Sequence, residues 1–476
     1  MEILERIRIW GEDTLTQKQI WWLRDAAGTG KTTVASTMVR HWKSTGTLAG
    51  RFFFTRSLRA ASEIEKFCPA LARDVAHFHA PLRPMIGEAL VESSLIHSEF
   101  EEQFELLIVA PLGRLDKPTI LVIDALDNCE ASARERILEA FLHHLPAVPK
   151  MKLFFTSRPL LDIDEFLERS DMIEGREIQL HDMHEATHPD IALYVDKQLN
   201  KFSQKERTML VVQSQGLFIW ASTACQLLRK TRKPSKILKD LMDVTTSDHL
   251  DHLYREVLDQ AQVDSDSLDA LVWVLQVIIT VFEPVSIRTV EAFLPHQEAV
   301  NKLIQDLSSV VKDGDPDRPL IVLHDTFREF LASESRANGY MVNSVQAHTT
   351  LAIGCVELLS KFLEYDMFGI TGDGLGLEAN SKRPELVARI EKELTAALKY
   401  AAAYWAYHGS LALEDRAVQD AIEKFLRTKV LNLAELMSLR HMFGAFAMAI
   451  AHLHNSAKDL QRQNTVRIPI SFMLYF

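Results

Sequence analysis

The stretch Ile20 to Val34, IWWLRDAAGTGKTTV, constrains this chain more than any other. An apolar run ends in a loop of small residues, then Gly-Lys-Thr, then apolar residues at helical spacing: a strand, a loop and a helix. Phosphate oxygens must approach backbone N–H groups closely, and Gly28 and Gly30 keep side chains out of their way. Lys31 can reach the β- and γ-phosphates of a bound nucleotide, and the Thr32 hydroxyl can hold Mg²⁺. Thr29 and Thr33 complete the cradle, and the helix that follows aims its free N–H groups at the same phosphates. The full pattern G-x-x-x-x-G-K-[ST] places its first glycine where this chain has Asp25. Aspartate tolerates unusual backbone angles, but an acid beside a polyphosphate is unfavourable unless it points away.

The surrounding pattern places the loop in an α/β sheet. Ile20–Arg24 is the first strand and Thr32–Lys43 its helix. Arg51–Thr55 is the second strand, and a long helical insertion follows from about Ala61 to Leu115. Thr119–Asp124 is the third strand, Ala131–His144 a helix, Lys152–Thr156 the fourth strand and Arg176–Leu180 a fifth. Continuous apolar runs of this kind are buried parallel strands with helices on both faces, so the ligand edge is at their carboxyl ends. Ahead of them, Ile3, Ile7 and Trp10 share one helical face. After Asp190 the strand signals nearly vanish. Helices are expected over 191–200, 205–230 with a break at Gly216, 249–260 and 267–282. Lys230 to Lys239 is basic and reads as a solvated connection. Residues 284–331 read as two helices and a hairpin, the arms Ser308–Val311 and Leu320–Leu323 being separated by a turn-rich spacer, a winged-helix shape. From Val345 the pattern is helical again, around a Gly-rich loop from Gly369 to Arg383. The expected order is therefore an N-terminal helix and linker (1–18), an α/β P-loop NTPase domain with a parallel sheet flanked by helices (19–185), a helical domain (186–265), a winged-helix domain (266–337) and an α-helical C-terminal extension (338–476).

Composition excludes some classes. A formal net charge of −12 argues against nucleic acid as the main partner, because a phosphate backbone calls for a basic face. The longest apolar run, Leu271 to Phe282, is too short to span a bilayer, and no signal-peptide pattern opens the chain. Cys68, Cys129, Cys225 and Cys355 are far apart in the sequence and in no metal spacing, which suits free thiols in a reducing, cytoplasmic setting. The abrupt start and the apolar tail ISFMLYF read as the edges of a larger design or of a truncated gene product.

Three further stretches carry chemistry. TILVIDALDNC (119–129) delivers Asp124 to the sheet edge, where it can coordinate Mg²⁺, and Asp127 follows in position to polarise a water. KLFFTSRP (152–159) ends at Arg158, which can touch a γ-phosphate. In IVLHDTFREFL (321–331), His324 closes a strand and opens an amphipathic helix. Residues 184–188, His-Glu-Ala-Thr-His, match the zinc-protease pattern, but that chemistry needs one continuous helix. Pro189 pushes His188 out of helical geometry, so the stretch reads as a loop. Gly28-Thr29-Gly30 is no dinucleotide fingerprint, since Thr33 stands where the third glycine belongs. Gly372, Gly374 and Gly376 follow no strand. The lack of an Asn-Lys-x-Asp element favours adenine over guanine.

Taken together these stretches resemble the NACHT-type signalling NTPases of the STAND class, and in particular fungal NACHT proteins with a nephrocystin-3-like core. The resemblance rests on WWLRDAAGTGKTT, QFELLIVAPL, VIDALDNC, FFTSRP, GLFIWAS (216–222), LHDTFREFL, LKYAAAYWAYHG (398–409) and FLRTKVLNLAELMSL (425–439). It implies a nucleotide switch. ADP would be held closed, exchange for ATP would open the domains and drive self-association, and the output would be fungal non-self recognition or cell death. It implies that Lys31 and Thr32 hold phosphate and Mg²⁺, that Asp124 is the Mg²⁺ acid and Asp127 the catalytic acid, that Arg158 is the sensor arginine, and that His324 contacts the ADP β-phosphate. Asp25 departs from the family pattern, as does Asn128, which stands where a second acid is usual. These departures keep open the alternative of a nucleotide-binding scaffold that does not hydrolyse, and the abrupt ends keep open that of a truncated inactive paralogue.

Overall fold

The structure, a computed structural model, describes residues 2–16, 18–54, 60–91, 98–167, 173–174, 184–242, 248–261, 265–293, 300–312, 316–370 and 382–462. The chain divides into two compact units, Met1–Leu253 and Tyr254–Phe476.

The first unit is built on a parallel sheet of β1 (Ile20–Arg24), β2 (Leu48–Phe53), β3 (Thr119–Asp124), β4 (Met151–Ser157) and the short β5 (Ile173–Glu174), in the order β2-β3-β4-β1-β5. Every residue of β3 and β4 is buried. The period of two sorts their side chains onto two cores. Trp22, Leu121, Ile123, Leu153 and Phe155 face one side, with Phe67, Leu71, Phe104, Ile137 and Phe141 from the covering helices. Trp21, Leu23, Ile120, Val122 and Phe154 face the other. There α1 (Glu2–Glu12) contributes Ile3, Ile7 and Trp10, as the helical spacing predicts, and α2 (Lys31–Thr45) contributes Ala35, Met38, Val39 and Trp42. Because β4 lies between β1 and β3, with Arg24 opposite Ser157 and Ile123 opposite Phe155, the carboxyl ends of the three strands finish side by side.

β2 begins three residues earlier than the sequence predicts. Leu48, Ala49 and Gly50 look weak as strand, but pairing with Ile120 and Leu121 of β3 carries them, with an irregularity between Leu48 and Gly50. The helical insertion resolves into α3 (Ala60–Phe78), Arg83–Val91 and Phe100–Leu112. The last widens to a π-turn over Glu105–Val109 just before Pro111, whose ring would clash with a carbonyl four residues back in a regular helix. The predicted strand Arg176–Leu180 lies outside the described residues, as do Gly372, Gly374, Gly376 and the ISFMLYF tail.

Two expectations for the helical part of this unit are corrected. Residues 184–188 are not a loop: a helix runs from His184 to Gln198 with Pro189 inside it. One missing hydrogen bond costs less than the burial of Ile191 and Val195 along its inner face and of Leu199 just past its end. Among the described residues no group of His, Cys, Asp and Glu is arranged to hold a metal. The basic connection 230–239 is largely the helix Pro234–Met242, which starts on proline, as helices favour, and buries Ile237, Leu238 and Leu241. The predicted break at Gly216 separates Gln204–Gln213 from Phe218–Lys230.

The second unit is nearly all helical. Helices Ile287–Phe293 and Val300–Asp306 precede a two-stranded antiparallel hairpin, β6 (Val311–Lys312) and β7 (Ile321–Val322), shorter than its predicted arms. The helix Asp325–Leu331 follows, with His324 at its N-cap. Beyond it, helices Ser344–Phe362 and Ala396–Ser410 enclose a polar cluster: His348 Nδ1 lies 2.8 Å from His408 Nδ1, and His408 Nε2 lies 2.8 Å from the Tyr400 hydroxyl. No described helix is long and apolar enough to cross a membrane, and all four cysteines are buried free thiols.

Candidate functional site

The loop between β1 and α2 has the backbone its glycines allow. Gly28 and Gly30 sit at φ +83° and +100°, a region where a side chain is strained. A Cβ at Gly30 would point into open space with nothing within 4 Å, which is room a phosphate group can use. A Cβ at Gly28 would lie 2.5 Å from Ile219 Cγ2. Ile219 opens the helix Phe218–Lys230 in the GLFIWAS segment, so that helix is seated directly on the loop. The Thr29 hydroxyl donates to Ala26 O at 3.0 Å and closes the turn. Thr32 and Thr33 are exposed on the first turn of α2.

Lys31 is half-buried, and its ammonium donates to the backbone carbonyls of Asp25 and Ala26 at 2.7 and 2.6 Å. Burial lowers its pKa, opposed by Asp127, Asp25 and Asp124 and reinforced by Arg158. All the charged residues that the sequence singles out around the loop therefore act on one ammonium.

Asp124, at the end of β3, is 2% exposed. Burial raises its pKa, and hydrogen bonds from the Thr156 and Thr32 hydroxyls pull the other way, as does Lys31. The Thr156 hydroxyl donates to Asp124 Oδ1 at 2.7 Å and accepts from the Ala125 N–H at 3.0 Å. Ala125 needs that second bond, because it takes a left-handed φ of 56° to turn the chain sharply after Asp124. The turn aims Asp127 back at β4. Asp127 Oδ1 accepts from the Arg158 N–H at 3.1 Å, and Oδ2 pairs with Arg158 Nε at 3.0 Å. The predicted catalytic acid and the predicted sensor arginine are thus bound to each other.

Lys31, Thr32, Asp124, Asp127 and Arg158 come together at one sheet edge. His324 belongs to the second unit, where burial lowers its pKa against the opposing charge of Asp325. Two residues escaped the sequence reading. Thr156 was visible as the first hydroxyl after the apolar run of β4, one strand away from Asp124. Ile219 lies within the GLFIWAS stretch, but nothing local marks its contact, because its partner is a glycine distant in sequence.

An oxygen set of one hydroxyl and one carboxylate, Thr32 and Asp124, suits a hard cation such as Mg²⁺, and the open space over Gly30 beside an ammonium suits phosphate. No curated protein matches the chain. The profile of the family described as Nephrocystin 3, N-terminal, matches residues 4–158, from α1 to Arg158. With the loop, the sheet and the acids assembled on this stretch, residues 4–158 are a nephrocystin-3 N-terminal domain, a NACHT-type P-loop NTPase region.

Proposed function

We propose that the chain is a nucleotide-dependent switch of the STAND/NACHT class, which binds ATP or ADP with Mg²⁺ and couples exchange or slow hydrolysis to domain opening and self-association. One observation carries this reading: a lysine, a hydroxyl, two carboxylates and an arginine from separate elements meet at the carboxyl edge of the sheet, beside a loop with open space over Gly30. Lys31 can trade the carbonyls of Asp25 and Ala26 for phosphate oxygens. Thr32 and Asp124 would hold Mg²⁺, which when bound neutralises phosphate charge. Arg158 can exchange the Asp127 carboxylate for a γ-phosphate, and Asp127, so released, can orient a water and take its proton. Moving a two-state equilibrium from mostly closed to mostly open takes about 5.5 kcal/mol of differential affinity. Each charge-assisted contact contributes about 1.5–3 kcal/mol, so two or three contacts specific to the γ-phosphate suffice.

The helical (186–265), winged-helix (266–337) and C-terminal (338–476) segments are proposed as the parts that move. A part for His324 rests on the family resemblance alone, and weaker ADP binding in His324→Ala would support it. Buried free thiols support a cytoplasmic setting. A second reading, a nucleotide-binding scaffold without turnover, is favoured by one observation: Arg158 occupies both oxygens of Asp127. The test of the whole proposal is to denature the purified chain and identify the nucleotide it releases, beside Lys31→Ala. Stoichiometric ADP from the wild type and none from the variant supports the switch. Intact ATP points to the scaffold, and no nucleotide from folded protein defeats both.

A further inference from the structure

The feature that the nucleotide reading does not absorb is Asp25. It follows β1 directly, at the loop position where phosphate-binding loops carry glycine. It is 1% exposed. Its N–H donates to Ser157 O at 3.2 Å, its carbonyl accepts from Lys31, and its Oδ1 accepts from the N–H of Ala26. The backbone is tied to β4 through Ser157, a bond that does not involve Lys31, and the carboxylate is turned inward onto the loop. It also engages one of the loop's own N–H donors.

The charges set the consequence. The groups acting on Lys31 are Asp127, Asp25 and Asp124 against Arg158. Counting Lys31 itself, three acids face two cations, a formal sum of −1. A glycine at position 25 would bring that sum to zero. A polyphosphate adds several negative charges to a place that already carries an excess of them, and like charges held out of water repel strongly. A divalent cation between Thr32 and Asp124 reverses the sign. We propose that Asp25 is an electrostatic brake on this loop: it caps the affinity for nucleoside di- and triphosphates and makes their capture depend on a divalent cation.

This inference rests on the nucleotide-binding reading, and it makes Asp25 an affinity-setting residue of the same site. A loop without the brake would hold nucleotide with or without metal. With it, loss of the metal releases the nucleotide, so exchange is built into the charge balance of the loop.

The test is calorimetric binding of ADP to the full chain, with Mg²⁺ and with EDTA, for wild type, Asp25→Asn, Asp25→Gly and Lys31→Ala. Asparagine keeps an oxygen acceptor for the Ala26 N–H and removes only the charge. In EDTA, Asp25→Asn should bind ADP at least about tenfold more tightly than wild type, on the order of one like-charge repulsion in a partly dry site. With Mg²⁺ the gap should shrink. A merely geometric role for Asp25 would shift both conditions equally. If Asp25→Asn does not fold, Asp25→Gly decides by the same criterion. Binding in EDTA no tighter than wild type, with Lys31→Ala still abolishing it, overturns the brake and leaves the nucleotide reading standing. If folded wild type and both Asp25 variants all fail to bind ADP in either condition, the nucleotide reading falls and the brake with it.

Discussion

The first unit holds two lysines out of bulk water, one at each end of its sheet, and each donates to two backbone carbonyls. Lys152, near the amino end of β4 and 2% exposed, donates to Trp10 O and Asp13 O, where α1 ends, and lies 5.1 Å from the Trp10 ring centre. Lys31, at the other end, donates to Asp25 O and Ala26 O. Burial lowers the pKa of both. The difference is in what surrounds them. Around Lys152, among the described residues, Asp13 is the charge that acts on it, and the ammonium replaces the N–H donors that the last carbonyls of a helix lack. Around Lys31 stand three carboxylates and an arginine, with open space over the adjacent Gly30. Counting hydrogen bonds does not separate these two ammonium groups. Unbalanced charge beside an open approach does.

The sharpest way to break this contrast is to remove each lysine. Lys152→Ala leaves two carbonyls without their charged donor and should cost about 4 kcal/mol, read as a lower urea midpoint. Lys31→Ala should cost under about 1 kcal/mol in the same measurement, because its site is half open. Equal losses of stability would erase the distinction.

The next effect carries the contrast to neutral buried groups. His348 and His408 share one hydrogen bond between their Nδ1 atoms, so only one of the two atoms can carry a proton. Burial holds the His348 pKa down at about 4, well below the ordinary histidine value of about 6.5. The unfolded chain therefore takes up a proton that the folded chain refuses. The stabilisation is whole above about pH 6.5 and is lost as pH falls toward 4, about 3 kcal/mol in all. Urea midpoints across that range check it, and His348→Gln should flatten the profile.

Two smaller effects test the phosphate edge itself. Gly28→Ala meets both a left-handed φ and Ile219, and should cost about 2 kcal/mol together with nucleotide release. An Ile219→Ala background should restore part of that stability. Thr156→Val takes the donor from Asp124 and the acceptor from Ala125. It should weaken Mg²⁺-dependent ADP binding about fivefold, an effect of about 1 kcal/mol, measured by titrating the metal.

The strands were legible because buried parallel strands are unbroken apolar runs, and β3 agrees with its sequence reading residue for residue. The clustering of the candidate site was legible where one local pattern holds several residues, as at Lys31 and Thr32, or where an acid ends an apolar strand, as at Asp124. What stayed hidden depends on contacts between distant segments. The bond from Thr156 to Asp124 crosses between neighbouring strands, and the Ile219 contact joins residues about 190 positions apart. Pro189 misled for the same reason, because the buried face of its helix outweighs the local preference of one residue.

The ring of indoles around the docked end of α1 has a practical consequence. Trp10 lies 5.7 Å from Trp21 and 6.4 Å from Trp42, and all three are almost wholly shielded from water. Trp10 travels with α1 while the other two stay with the sheet and α2. With seven tryptophans in the chain, the difference in intrinsic emission between wild type and Trp10→Phe is thus a label-free gauge of whether the N-terminal helix is seated. A shift to longer wavelength on adding nucleotide would mark α1 as a segment that responds to the state of the loop.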